Sequence, residues 1–280
     1  MKKKITKFRP TVRTKNPSAA ILRPRNKLFP FFAFKSVIRM GSTTDFPDSV
    51  TNGGQRKEIN TITSITNSRS KLLMKKCFDD VKIRSALWYT HVTKEKEGYF
   101  LVNSKNDTKN PVQYPILAEK IYGQKAIGMV KIDNEEGLVA FLTKGTKGYY
   151  YEIFHNYSKE YRLHVSKNGC FYTNRKMLKT DATERWFRND SNCVWFLEEN
   201  SQFDKPSNWE MIEEHCVKAL KAVGLDIGAC DVRVQASTTS KGTKRDFSDF
   251  IIIEINSAPA FGEITGEKYV KEITKLLIEK

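Results

Sequence analysis

Phe250-Ile251-Ile252-Ile253-Glu254-Ile255-Asn256-Ser257-Ala258-Pro259-Ala260 is the stretch whose reading decides the fold. Ile251, Ile252, Ile253 and Ile255 make a β-branched run of strand length, which predicts a buried strand. Glu254 and Asn256 interrupt its end two residues apart, so on a strand they share a face. A carboxylate and an amide oxygen on one face suit a hard cation such as Mg²⁺, which takes oxygen ligands and is commonly shared with substrate phosphates. Pro259 then stops the strand. A strand end emerging into solvent carries the same residue types, so this stretch alone leaves both readings open.

Outward from it, the chain of 280 residues fits one large or two modest domains, and 39% hydrophobic residues with 11% aromatics suit a packed core. No apolar run has the length to span a bilayer, and no apolar segment follows the basic N-terminus as in a secretory signal, so a cytoplasmic location is expected. The five cysteines are scattered and form no C-x-x-C pair, which suits reduced thiols rather than a disulfide framework or zinc site. The net charge is +16, and twelve of the basic residues precede the first acidic one, Asp45, which leaves only +4 for the remaining chain. Residues 1–30 therefore read as a basic arm. Pro10, Pro17, Pro24 and Pro30 argue against helix, and such an arm suits nucleic acid or an acidic partner as well as a plain solubilising tail.

Along the chain, a first strand is expected over 31–39, a loop over 40–54 and a helix over 68–78 that turns Leu72, Leu73 and Met74 inward and Lys71, Lys75 and Lys76 outward. Residues 86–90 read as a strand, 94–113 as polar loop, and 114–120 as an apolar strand ending in Lys120. Gly123-Gln124-Lys125-Ala126-Ile127-Gly128 is a loop in which glycine lets backbone N–H groups approach a phosphate and Lys125 adds charge. A return strand (129–132), a short helix (135–142) and strands at 149–154, 161–165 and 170–173 follow, with Asn168-Gly169 as a hairpin turn. Trp186, Trp195 and Trp209 are taken as packing residues and His155, His164 and His215 as structural. The longest helix covers 209–223, with Gly224 stopping it. The strand 226–234 carries Asp231, expected to stand exposed and to neighbour Glu254 on an antiparallel partner. A terminal helix covers 267–278.

Taken in order, these features resemble the ATP-grasp superfamily from about residue 60 to the C-terminus. Glu254-Ile255-Asn256-Ser257-Ala258-Pro259 is similar to the family's E-x-N-x-x-P motif, and the segment 219–234 to the helix and strand that carry its aspartate. Ser70-Lys71-Leu72-Leu73-Met74 resembles the segment that opens the nucleotide site. Glu160-Tyr161-Arg162-Leu163-His164-Val165 resembles the strand of the branch that includes the ribosomal-protein glutamate ligase, and the pattern that includes 188–196 is similar to bacteriophage members. The resemblance implies an α+β fold of two subdomains clasping ATP, over residues 70–280, with the smaller one at about 85–155 and a reduced preceding segment at 31–69.

It further implies that Lys71 and Lys120 meet the α- and β-phosphates, with Lys125 in the phosphate loop. Glu152 and backbone near Phe154 would meet the adenine, and Glu160 the ribose. Asp231, Glu254 and Asn256 would hold Mg²⁺. The implied chemistry is an ATP-dependent carboxylate–amine ligation through an acyl phosphate, with Arg162 and Arg188 stabilising transferring charge. The short preceding segment points to a peptide or protein acceptor. Three departures stand out: the phosphate loop is poor in glycine, Cys193 replaces a glycine, and Ala229 stands where one branch has an arginine two residues before its aspartate. The alternative is a phage nucleic-acid- or virion-associated binding protein that kept the scaffold and lost the chemistry.

Overall fold

In the computed structural model, residues 8–13, 20–24, 36–43, 57–104, 107–123, 126–189, 191–201, 203–260 and 262–279 are described. β1 (Phe8–Arg13) and β2 (Ala20–Pro24) pair antiparallel, β2 pairs antiparallel with β3 (Ser36–Met40), and β3 pairs parallel with β4 (Lys57–Ile59). Two strands thus lie within the basic segment, extended as its prolines require. The strand expected at 31–39 begins at Ser36, and most of the loop expected at 40–54 lies outside the described residues.

The one helix expected over 68–78 is two, α1 (Ile62–Arg69) and α2 (Lys71–Asp80). Thr61 caps the first, its hydroxyl accepting from the Ser64 N–H at 3.1 Å. Ser70 ends it and starts the second, with Oγ 3.4 Å from the Leu73 N–H. This break puts Lys71 at the head of α2, where its N–H donates to Ile121 O at 3.0 Å.

β5 (Trp88–Tyr89) follows, and then the largest departure from expectation. The polar stretch expected as loop holds a three-stranded antiparallel meander: β6 (His91–Glu95), β7 (Gly98–Asn103) and β8 (Thr108–Pro111). Its polarity reflects exposure, since β8 is exposed along its whole length. β9 (Ile116–Lys120), β10 (Val130–Ile132), α3 (Glu135–Thr143) and β11 (Tyr149–Ile153) come next. The sheet has the order β10-β9-β11-β5 and is antiparallel throughout. Ile116, Ala118, Ile132 and Tyr151 pack with Leu138 and Phe141 of α3.

The larger sheet is built from β12 (Lys159–Ser166), β13 (Gly169–Leu178), β14 (Cys193–Leu197), β15 (Ile227–Val234) and β16 (Phe250–Asn256), in the order β14-β13-β12-β15-β16. α4 (Trp209–Ala222) precedes β15, and α5 (Glu263–Glu279) ends the chain. Alternation divides the faces. Tyr161, Leu163, Val165, Cys230, Val232 and Val234 pack with Ile212, Cys216, Ala219 and Leu220 of α4 and with Met74 and Phe78 of α2. The intervening Glu160, Arg162, Asp231 and Arg233 face the other way. At Gly228 a Cβ would come within 2.8 Å of Asn256 O, so glycine is what lets the β15 and β16 backbones meet there.

Asn60 fastens the first sheet to this one. Its φ is 61° and its side chain is fully buried. Nδ2 donates to Arg39 O (3.0 Å) and Ile227 O (2.9 Å), and Oδ1 accepts from the N–H groups of Asp226 (2.9 Å) and Ile227 (3.1 Å). Every hydrogen-bonding atom of the amide is satisfied, which is what makes its burial tolerable. Tyr269, Ile273, Leu276 and Leu277 of α5 pack with Ile38, Ile59 and Ile227. Among the described residues no helix is long and apolar enough to cross a membrane.

α5 is also tied to β12. His164 lies with Nδ1 3.0 Å from the Tyr269 hydroxyl and Nε2 2.8 Å from Asn174 Oδ1. Burial, helped by the Arg162 charge, pushes its pKa down to about 4. A histidine held neutral in the fold stabilises it fully above its ordinary pKa of about 6.5, and that contribution is lost as pH falls toward 4. Between those values the unfolding free energy should fall by up to about 1.4 kcal/mol per pH unit. Urea denaturation across that range should show this slope, and His164→Gln should flatten it. An equal slope in the variant would refute the assignment.

Candidate functional site

A cavity of about 360 Å³ lies between the polar face of the five-stranded sheet and the four-stranded sheet. Alternation again decides what enters it. On β9 and β11, Leu117, Glu119 and Glu152 line the cavity, while Ile116, Ala118 and Tyr151 go to the α3 core. The head of α2 contributes Lys71, and the end of β16 contributes Glu254 and Asn256.

Two ionic groups result. In the first, Lys71 Nζ is 2.5 Å from Glu119 Oε2 and 3.4 Å from Glu254 Oε2. Behind it, Lys75, expected to face outward, is fully buried, which its pairing with Glu152 at 2.7 Å allows, and the Tyr150 hydroxyl donates to Glu152 at 2.9 Å. Burial works against the Lys71 charge, yet Glu119 and Glu254 override it and hold its pKa above the ordinary lysine range. Burial leaves the Glu152 carboxyl raised in spite of Lys75.

The second group covers the floor of the larger sheet. Arg162 grips Asp231 with two parallel bonds, Nε to Oδ1 at 2.7 Å and Nη2 to Oδ2 at 2.8 Å. Lys176 bridges Asp231 (2.9 Å) and Glu160 (2.8 Å). Arg233 Nε lies 3.4 Å from Glu160, and Arg188 Nη1 lies 3.9 Å from it. Burial alone would raise the Asp231 pKa, but Arg162 and Lys176 hold it well below the carboxylate range. The indole of Trp195 lies under two of these cations, 4.9 Å from the Arg162 guanidinium carbon and 5.2 Å from Lys176 Nζ.

Asp231 pairs directly with Glu254 across β15 and β16. It is not exposed, as the sequence led us to expect, but 3% accessible, because the charges of its own sheet face enclose it. Glu254 and Asn256 share a face, and Asn256 Nδ2 donates to Glu254 Oε1 at 3.0 Å. That bond leaves the Asn256 oxygen and Glu254 Oε2, whose cation partner is Lys71 at 3.4 Å, a set that suits Mg²⁺ completed by phosphate oxygens once Lys71 turns away. Asp231 differs, since both of its oxygens already accept from cations and it joins a metal only by releasing one. Among the described residues no group of three or more His, Cys, Asp or Glu could hold a metal without help.

The other expected residues are divided. Glu160, Arg162 and Arg188 line the cavity together with Lys71, Glu152, Asp231, Glu254 and Asn256. Lys120 and Phe154 do not. Lys120 is one residue beyond Glu119, so alternation turns it to the opposite side, where Nζ sits 5.5 Å from the Tyr149 ring centre. The Phe154 N–H donates to Pro115 O at 3.3 Å, and its flanking residues Ile153 and His155 reach the cavity instead. Lys125 lies outside the described residues.

Sequence reasoning missed Lys176, Arg233, Glu119 and Trp195. Arg233 carried a signal, being two residues from Asp231 and therefore on its face. Lys176 and Arg175 read as surface residues beyond the strand expected at 170–173, whereas β13 runs on to Leu178; counting from the Ser166–Gly169 pair, Glu160 would face Arg175. A bulge between His164 and Val165 shifts the pairing by one, to Lys176. Replacing Asp231 with Asn leaves two buried cations facing an amide and should cost about 3 kcal/mol or more in unfolding free energy by urea titration. A cost under about 1 kcal/mol would contradict the pairing.

No protein-family model matches the sequence, and no curated protein matches it. Solved structures do. D-alanine–D-alanine ligase from Bacillus anthracis superposes with TM-score 0.53 at 12% identity, covering 79% of this chain and 70% of that one. The ATP-grasp ligase PsnB, complexed with a minimal precursor, gives TM-score 0.53 at 11% identity, covering 82% and 67%. An L-amino acid ligase from Bacillus licheniformis gives 0.47 at 16% identity. It covers 77% of this chain, which spans only 45% of its length. Two α+β sheet layers facing each other across a charged cleft, superposable on these enzymes, are the ATP-grasp fold.

Proposed function

We propose that this chain is an ATP-dependent ligase that joins a carboxylate to an amine, with a peptide or protein as acceptor. The observation that carries this is the facing of Lys71 and Glu119 on one wall by Glu254, Asn256 and the Arg162–Asp231–Lys176 floor on the other. Residues 70–280 would form the clasping unit, with about 85–155 as its smaller lobe. The fold neighbours support the reading: they include D-alanine–D-alanine ligase complexed with ATP, and PsnB complexed with precursor, Mg and ADP.

In this reading Lys71 exchanges Glu119 and Glu254 for phosphate oxygens, and Glu254 with Asn256 holds Mg²⁺, which neutralises phosphate charge when bound. Lys120, beside Tyr149 on the opposite side of its sheet, takes no phosphate in this reading. Glu152 and the backbone beside Phe154 face the adenine, and Glu160 the ribose. A substrate carboxylate attacks the γ-phosphorus and ADP leaves. The amine then attacks the acyl phosphate and inorganic phosphate leaves. Arg162, Lys176 and Arg188 are the cations on hand to stabilise the transferring charge. The likeness to bacteriophage proteins would make the host cytoplasm its place of action.

Calorimetry with a non-hydrolysable ATP analogue tests this. Binding should require Mg²⁺, Lys71→Ala should weaken it about tenfold or more, and Glu254→Gln should remove the Mg²⁺ requirement. No binding at millimolar Mg²⁺ would end the ligase reading.

A further inference from the structure

The five-stranded sheet has an open side at β14. The Lys179 N–H donates to Asn192 O at 2.9 Å, so the antiparallel ladder bonds to β13 fall at Asn192, Val194 and Phe196. The N–H and C=O of Trp195 therefore point away from β13, and among the described residues nothing bonds to them. The two faces beside this edge differ in chemistry. On the cavity face, Trp195 is 38% exposed and supports Arg162 and Lys176. Four cations there, Arg162, Lys176, Arg188 and Arg233, surround two carboxylates, Glu160 and Asp231, an excess of two positive charges. The buried Nε of Arg188 has no hydrogen-bond partner. On the other face, Val194 is 41% exposed.

We propose that β14 is the docking edge for the acceptor: an extended peptide adds to the sheet beside Trp195. Alternate residues of such a strand point to opposite faces. An acidic side chain on one face then lies over Trp195, on the side of Lys176 and the excess positive charge behind it, at the mouth of the cavity. An apolar one on the other face covers Val194. The ligand class is thus a strand of alternating acidic and apolar residues, delivering a carboxylate to the site where the proposed ligation would occur. The inference rests on the ligase reading for its purpose, but its test measures binding without turnover.

The probe is a labelled, capped peptide of alternating glutamate and valine, followed by fluorescence anisotropy with the full chain. Methylating the backbone nitrogens of one alternate set, the set facing β14, should weaken binding roughly tenfold, while methylating the other set leaves it within about twofold. Trp195→Pro should weaken it similarly and Trp195→Phe should not. Proline is tolerated on an edge strand where the missing N–H faces outward. If both methylated peptides behave alike, or the unmodified peptide fails to bind while the ATP analogue binds, the edge is not the dock and the nucleotide reading stands. Register-dependent peptide binding without analogue binding would support the dock and remove the nucleotide reading.

Discussion

A carboxylate with almost no solvent access cannot stay ionised without partners, and Asp231 has two. Arg162 from β12 and Lys176 from β13 hold it from one side of β15. Lys176 also holds Glu160, which Arg233 and Arg188 approach. The chain of charges crosses neighbouring strands and fixes one face of the sheet as a rigid ionic floor, while the opposite face packs on α2 and α4. Removing one member leaves the others buried and uncompensated, so the network is worth more intact than any of its pairs suggests. Charges positioned before a substrate arrives are also what transfer of a phosphoryl group needs.

The wall opposite uses the same currency differently. Lys71, Glu119 and Glu254 satisfy one another within the cavity. On the proposed reading, a polyanion would enter by trading places with those carboxylates, and a divalent cation on Glu254 would make the trade favourable. Lys71 ties the two sheets together, since Glu254 belongs to the larger sheet and Glu119 to the smaller. On the proposed reading, the ion pairs between Lys71 and these two residues are the contacts a bound nucleotide would replace.

Much of this was readable from residues. The isoleucine run with Glu254 and Asn256 is a strand with both polar groups on one face, and Asp231 lies across from Glu254. These follow from a period of two, which a sequence displays openly. What stayed hidden depended on register and tertiary partners. The bulge beside His164 moved Lys176 into the network in place of Arg175. Ser70 split one helix into two because it serves as a cap as well as an end. The meander at β6–β8 looked like loop because exposed strands such as β6 and β8 carry polar residues that a buried strand would not, whereas the apolar β14 was masked by the polar run Arg188–Asn192 directly before it. Asp231 looked exposed because nothing in its own segment shows the cations that enclose it.

The most direct test is a crystal structure of the full chain with a non-hydrolysable ATP analogue and Mg²⁺. The triphosphate should lie between Lys71 and the Glu254–Asn256 pair, with the Lys71–Glu119 contact opened and the metal on Glu254. An analogue bound elsewhere, or Lys71 still closed on Glu119 and Glu254 with nucleotide present, would contradict it.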